Sequence, residues 1–259
     1  MEPILETRSL SKRFGAVVAA NEVSVRVAEG EVVGVIGANG AGKTTFINMV
    51  TGYLKPSAGT VRFRGRDITG LAPREVTRAG VCRSFQIPQI FRELSVLENV
   101  LVALAMLGEG RLAWMRPLRS REREERANAL LRRYALDAYA PVRAATLPQG
   151  VRKLLDIAMA TVAQPALLLL DEPTSGVSVE EKFPLMDTVM NAVRETGAAS
   201  LFVEHDMEIV ERYASRVIAF YEGRVIADGP PREVLGDPEV RHHVVGAELH
   251  MTGRSAFHA

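Results

Sequence analysis

Residues 31–45 read Glu31-Val32-Val33-Gly34-Val35-Ile36-Gly37-Ala38-Asn39-Gly40-Ala41-Gly42-Lys43-Thr44-Thr45, and this stretch decides the fold. Its first part is apolar and β-branched, as a strand buried on both faces requires. Its second part is a complete phosphate-binding loop of the form G-x-x-x-x-G-K-[ST]. The residues that follow, Phe46-Ile47-Asn48-Met49-Val50, have helical character and stop before Gly52. A glycine-rich loop between a strand and a helix aims backbone N–H groups and the positive end of the helix dipole at one point. Gly37, Gly40 and Gly42 permit the tight backbone, and Ala38, Asn39, Ala41 and Thr45 complete the cradle. Lys43 is placed for the outer phosphates, and the Thr44 hydroxyl for Mg2+. The stretch predicts a nucleoside triphosphate site.

An acidic element follows downstream. Leu167-Leu168-Leu169-Leu170 reads as a buried strand and ends in Asp171-Glu172-Pro173. A carboxylate at the C-terminal end of a strand beside the phosphate loop holds Mg2+ through water, the role expected for Asp171. Glu172 is then placed to polarise a water against the terminal phosphate as a general base. Asp, Glu and Pro also end ordinary core strands, and only the upstream loop makes this one a site.

At 259 residues the chain fits one large α/β domain or a core with an insert. It is 47% hydrophobic and 24% charged, values of a globular protein with a substantial core. Its 32 basic and 31 acidic residues nearly cancel, so no nucleic-acid partner is implied. One cysteine, Cys82, allows no internal disulfide; in its apolar setting it is expected to pack rather than react. Met1–Leu10 carries Glu2, Glu6 and Arg8 and does not read as a signal peptide. No apolar run approaches the ~20 residues that span a bilayer, so membrane work is expected to go through a partner.

Ile4–Arg8, Ser24–Val27 and Val61–Arg64, bounded by turn signals, predict an antiparallel sheet flanking the phosphate-loop strand. Pro73–Ala79 predicts a short helix and Val81–Phe85 a strand. Ser95-Val96-Leu97-Glu98 is a capping box that opens a helix to about Leu107. Gly108–Pro117, with Trp114, reads as an irregular link. Arg119–Tyr134 reads as a charged helix with Glu122 paired to Arg126. Leu154, Leu155, Ile157 and Ala158 mark a further amphipathic helix. Strand and helix then alternate: Ser200–Glu204, a helix from Asp206, and a Val217–Tyr221/Arg224–Ala227 hairpin, after a helix within Glu180–Glu195. The α/β core spans residues 1–86 and 154–230, with a helical insert at 87–153 and a turn-rich tail at 231–259. His242, His243, His250 and His258 in that tail read as solvated rather than metal-binding.

The order of these pieces resembles the ATP-binding subunits of ABC transporters over almost the whole chain. The resemblance implies a P-loop NTPase core (RecA-like), an antiparallel β subdomain and a helical subdomain, with ATP as the nucleotide. It implies that Phe14 stacks on adenine, that Gln86 senses Mg2+ and the attacking water, and that His205 hydrogen-bonds the γ-phosphate. Leu147-Pro148-Gln149-Gly150-Val151 stands where the family has its signature, Leu-Ser-Gly-Gly-Gln. Here the chain departs: Pro148 has neither hydroxyl nor N–H, and Val151 replaces Gln. Ser178, in Ser175-Gly176-Val177-Ser178, replaces the common Asp. A slower ATPase, or a partner that completes one site and not the other, follows from those changes.

Gln86-Ile87-Pro88-Gln89-Ile90-Phe91, Asn39 and Val203-Glu204-His205-Asp206-Met207 look like the ATPases of branched-chain amino-acid importers, a pattern shared with urea and amide importers. The resemblance implies integral membrane permeases, a second ATPase subunit (the altered signature favouring a heterodimer) and, indirectly, a substrate-binding protein. It places the chain on the cytoplasmic face of the plasma membrane. A soluble ABC ATPase of repair or translation would carry two cassettes or a long coiled coil. A GTPase would carry Asn-Lys-x-Asp. The sequence has none of these.

Overall fold

The computed structural model describes residues 2–107 and 117–245. Its strands, in chain order, are β1 (Leu5–Phe14), β2 (Val17–Val23), β3 (Arg26–Val27), β4 (Val32–Gly37), β5 (Ala58–Phe63), β6 (Arg66–Asp67), β7 (Val81–Ser84), β8 (Leu167–Asp171), β9 (Ala199–Val203), β10 (Arg216–Tyr221) and β11 (Arg224–Gly229). The helices that matter here are α1 (Lys43–Val50), α2 (Pro73–Ala79), α3 (Val96–Met106), α4 (Arg121–Arg133), α5 (Gln149–Ala160), α6 (Val179–Thr196), α7 (Met207–Tyr213) and α8 (Pro231–Gly236).

Two sheets result. The first is antiparallel, in the order β2-β1-β5-β6 with β3 also paired to β1. β2 has no counterpart in the sequence reading, because Ala19-Ala20-Asn21-Glu22 breaks the alternation that marks a strand. The second sheet runs β11-β10-β4-β9-β8-β7 and is parallel except for the β10–β11 hairpin. The four leucines of β8 show why its run is continuous. Leu167 and Leu169 enter the core shared with α1 and the first sheet, while Leu168 and Leu170 enter the core shared with α5 and α6. Each such buried side chain contributes about 1.5–3 kcal/mol.

The acidic strand β8 is not the immediate neighbour of the phosphate-loop strand β4. β9 lies between β4 and β8. The register nonetheless brings Asp171 level with Val203 and Val203 level with Val35, so all three strands end together. The C-terminal edge of a parallel sheet is where α/β folds place ligands.

α3 opens on the foreseen capping box, with Glu98 N–H donating to Ser95 Oγ at 3.2 Å and Ser95 N–H to Glu98 Oε2 at 2.9 Å. On α4 the i, i+4 ion pair is Arg121–Glu125 at 2.8 Å, not Glu122–Arg126. Trp114, His250 and His258 lie outside the described residues. The segment after Pro230, expected as turns, forms α8, a helical turn at Pro238–Val240 and a π-helical turn at Arg241–Val245. Its prolines occupy first-turn positions, where a missing N–H costs nothing. The Asp237 side chain accepts from Glu239 N–H at 2.7 Å, and Val234, Val240 and Val244 are buried. His243 is not merely solvated, because its ring stacks on Tyr221 at 4.0 Å.

Candidate active site

The phosphate loop is built by backbone conformations that only glycine adopts easily. Gly37, Gly40 and Gly42 have φ of 155°, 81° and 102°. A Cβ on Gly42 would sit 2.6 Å from the Ala19 carbonyl oxygen, and one on Gly37 2.5 Å from that of Phe220. The loop is therefore wedged between β2 and β10. The Glu222-Gly223 turn braces it: Gly223 N–H donates to Ala41 O at 2.9 Å and Asn21 N–H to Gly223 O at 2.8 Å. Lys43 is buried at the start of α1, donating Nζ to the carbonyls of Gly37 and of Ala38, the latter at 3.0 Å. Thr44, Asn39 and Gly40 are exposed.

The carboxylates lie along the same edge. Asp171 ends β8 with its Oδ2 2.5 Å from Arg83 Nη2, and both side chains are nearly inaccessible. Glu172 follows with φ 48°, a left-handed conformation that costs a non-glycine residue about 1–3 kcal/mol. Its amide donates to Val203 O at 3.0 Å. Its Oε2 accepts from Gln86 Nε2 at 2.5 Å, and its Oε1 lies 3.1 Å from His205 Nε2. The hydrogen bond from His205 is the largest influence on this carboxyl. With the His205 and Lys43 charges and the Gln86 hydrogen bond it outweighs burial and holds the group below the usual carboxylate range. Glu172 is thus ionised at neutral pH, as a base must be. Gln86 and His205 stand just beyond β7 and β9, one residue past the strand ends expected from sequence.

Four residues of this neighbourhood escaped the sequence reading. Arg83 links Asp171 to Asn48 Oδ1 of α1 at 2.5 Å, and its guanidinium carbon lies 5.9 Å from the Tyr53 ring centroid and 5.0 Å from that of Phe85, two rings that meet edge to face. Removing one partner of such a buried ion pair costs about 3–5 kcal/mol. Lys153 and Asp156 point from α5 toward the Gln86 segment. Glu204 accepts from Thr174 N–H and Oγ1, both at 2.8 Å, pinning the loop after Glu172 to the end of β9. Their signal was a charge in an apolar pattern: Arg83 in a buried strand, and Lys153 on the stripe Gly150, Lys153, Ile157. Cys82 packs as expected, and burial pushes its thiol up to about 11.

The signature segment lies elsewhere. Leu147 is buried, Pro148 is the N-cap of α5 without a side-chain cap, and Pro148 and Gln149 are exposed. Gly150 is buried and faces Val177, and Gln149 reaches toward Gly176. Val151 is half-buried at the first turn. The exposed part of the helix N-terminus is thus Pro148 and Gln149. Ser178 is the N-cap of α6 and donates its hydroxyl to Glu181 at 3.2 Å. Phe14 is 52% exposed at the tip of the β1–β2 hairpin, with Lys12 Nζ 5.1 Å above its ring.

The Thr44 hydroxyl, the Asp171 carboxylate and the Gln86 side-chain oxygen are hard oxygen donors. With Gln86 Nε2 turned to Glu172, this is a set that fits Mg2+, which takes few protein ligands beside phosphate oxygens and water.

The ABC transporter family profile matches residues 20–175. The chain is 36% identical over 251 residues to the high-affinity branched-chain amino acid transport ATP-binding protein LivG of Salmonella typhimurium, covering 95% of this chain and 98% of that one. It is 37% identical over 252 residues to a probable LivG of Archaeoglobus fulgidus, covering 95% and 96%. It is 36% identical over 244 residues to BraF of Pseudomonas aeruginosa, another protein named for branched-chain amino acid transport, covering 92% and 96%. A crystal structure of an ATP-binding cassette of an ABC transporter in its ADP conformation superposes with a TM-score of 0.82 at 34% identity, over 93% of this chain and 98% of that one. With a phosphate loop, an acidic strand end and a nearly full-length match to proteins of one kind, this chain belongs to the ABC transporter family, as an ATP-binding, ATP-hydrolysing cassette.

Proposed function

We propose that this chain powers an importer for branched-chain or other hydrophobic amino acids by hydrolysing ATP at the sheet edge described above. The observation that carries the chemistry is Glu172, ionised and gripped from both sides by Gln86 and His205. Lys43 and the loop amides hold the phosphates, Glu172 orients and deprotonates the attacking water, and His205 holds the terminal phosphate. Bound through Thr44, Gln86 and a water on Asp171, Mg2+ would supply charge neutralisation. Catalysis of this kind is mostly positioning and electrostatics. Phe14 offers its exposed ring to adenine.

The transported class rests on the relatives, which carry branched-chain amino acid transport in their names. No helix among the described residues is long and apolar enough to cross a membrane, so the substrate path belongs to permease partners. The surface following Gln86 suits them: Ile87 is 74% exposed and Phe91 49% exposed, beside Arg92 and Glu93. In this reading residues 87–153 form the helical unit that meets the permeases, residues 1–86 and 154–230 form the nucleotide core, and the chain works on the cytoplasmic face of the membrane. The exposed N-terminus of α5 faces the ATP of a second ATPase subunit. Because Pro148 weakens that contact, a different ATPase is the favoured partner.

Deleting the gene tests the substrate class. High-affinity uptake of labelled leucine, isoleucine and valine is expected to disappear while urea uptake persists. The reverse pattern assigns the chain to an amide importer.

A further inference from the structure

We propose that Lys153 and Asp156, on the buried face of α5, are positioning residues that tie the helix behind the signature segment to Glu172 and Gln86. Lys153 is 1% exposed. Its Nζ donates to the carbonyl of Gln86 and, at 3.0 Å, to the carbonyl of Glu172. One ammonium thus joins the residues just past two different strands, β7 and β8. Asp156, one turn further along, accepts from Phe85 N–H at 3.1 Å through Oδ2 and from Gln89 N–H at 2.7 Å through Oδ1. The segment 85–89 is therefore held from both sides of Gln86 by one helix.

Packing alone does not call for these charges. Leu155, Ile157 and Ala158 already seat α5 in the core, and an apolar side chain at 153 would fill the same volume without losing solvation. Lys153 gives up hydration and directs its donors to main-chain oxygens instead. The Glu172 carbonyl is one of these. Its left-handed backbone is fixed by its own N–H on Val203 and by Lys153 on its oxygen, and that conformation aims the side chain between Gln86 and His205. A shift of α5 on engagement of the signature segment would reach Glu172 and Gln86 through this pair and nothing longer.

This inference rests on the reading of Glu172 as the carboxylate that activates water. Its test uses the full-length chain assembled with its transporter partners, in the variants Lys153→Met, Lys153→Arg and Glu172→Gln. Lys153→Met is expected to lower kcat for ATP about 10–100-fold while KM stays within about twofold, the signature of misplacement rather than lost binding. Lys153→Arg keeps two donors and is expected to recover most of kcat. A folded Lys153→Met protein with wild-type kcat overturns the proposal, as does a loss that appears in KM alone. If Glu172→Gln leaves turnover intact, the Glu172 reading fails first, and that failure is distinct from a silent Lys153→Met beside a dead Glu172→Gln. If Lys153→Met does not fold, Asp156→Asn decides. Faster amide exchange at Phe85 and Gln89 with lowered kcat supports the clamp, and unchanged kcat overturns it.

Discussion

The sheet edge and the signature segment are built on opposite principles. At the edge, Glu172 is held by Gln86 and His205, Asp171 by Arg83, and Lys43 by the carbonyls of its own loop. At the signature segment only Pro148 and Gln149 are exposed, Gly150 is buried against Val177, and Pro148 offers neither hydroxyl nor N–H. A site that must be pre-organised before its ligand arrives needs mutual restraint. A contact completed by another subunit does not. In the proposed reading a second ATPase subunit completes the signature contact, so polar groups lost there leave the catalytic half of this chain untouched.

Breaking the edge is expected to produce the largest effect. Glu172→Gln keeps the shape and removes the base, so turnover falls by ~10²–10⁴ while ATP binding persists. Steady-state hydrolysis measured beside nucleotide binding checks both halves of that statement. Strengthening the signature segment comes next. A charge-assisted hydrogen bond contributes about 1.5–3 kcal/mol, so Pro148→Ser is expected to raise hydrolysis by the chain alone about tenfold or more. No change would mean that the backbone at Gly150 suffices. The smallest effect belongs to Phe14, on neither side of the comparison. Phe14→Ala removes a stacking surface worth about 1 kcal/mol and weakens ATP affinity about fivefold with kcat unchanged, as titration with a fluorescent nucleotide would show.

Much of this comparison was legible before any coordinates. The phosphate loop and the leucine strand with its terminal carboxylates carry local patterns, Gln86 and His205 were marked only by the family resemblance, and the order of strands and helices follows from their periodicity. What escaped depends on residues far apart in the chain. No local pattern tells that β9 separates β4 from β8, since strand order in a parallel sheet is set by crossover connections. Arg83, Lys153, Asp156 and Glu204 look like ordinary charges until the fold buries them against partners on other elements. The helices after Pro230 were missed because proline reads as a breaker, although it starts a helix equally well at the first turn.

The asymmetry between the two regions is tested most directly in a dimer of this chain with a second ATPase whose signature is intact. Glu172→Gln is introduced into this chain alone, then the equivalent change into the partner alone, and ATP turnover is compared. The change in this chain is expected to remove nearly all turnover, because its site is completed by the partner's sound signature, whereas the change in the partner is expected to remove little. Equal losses from the two changes would contradict the asymmetry.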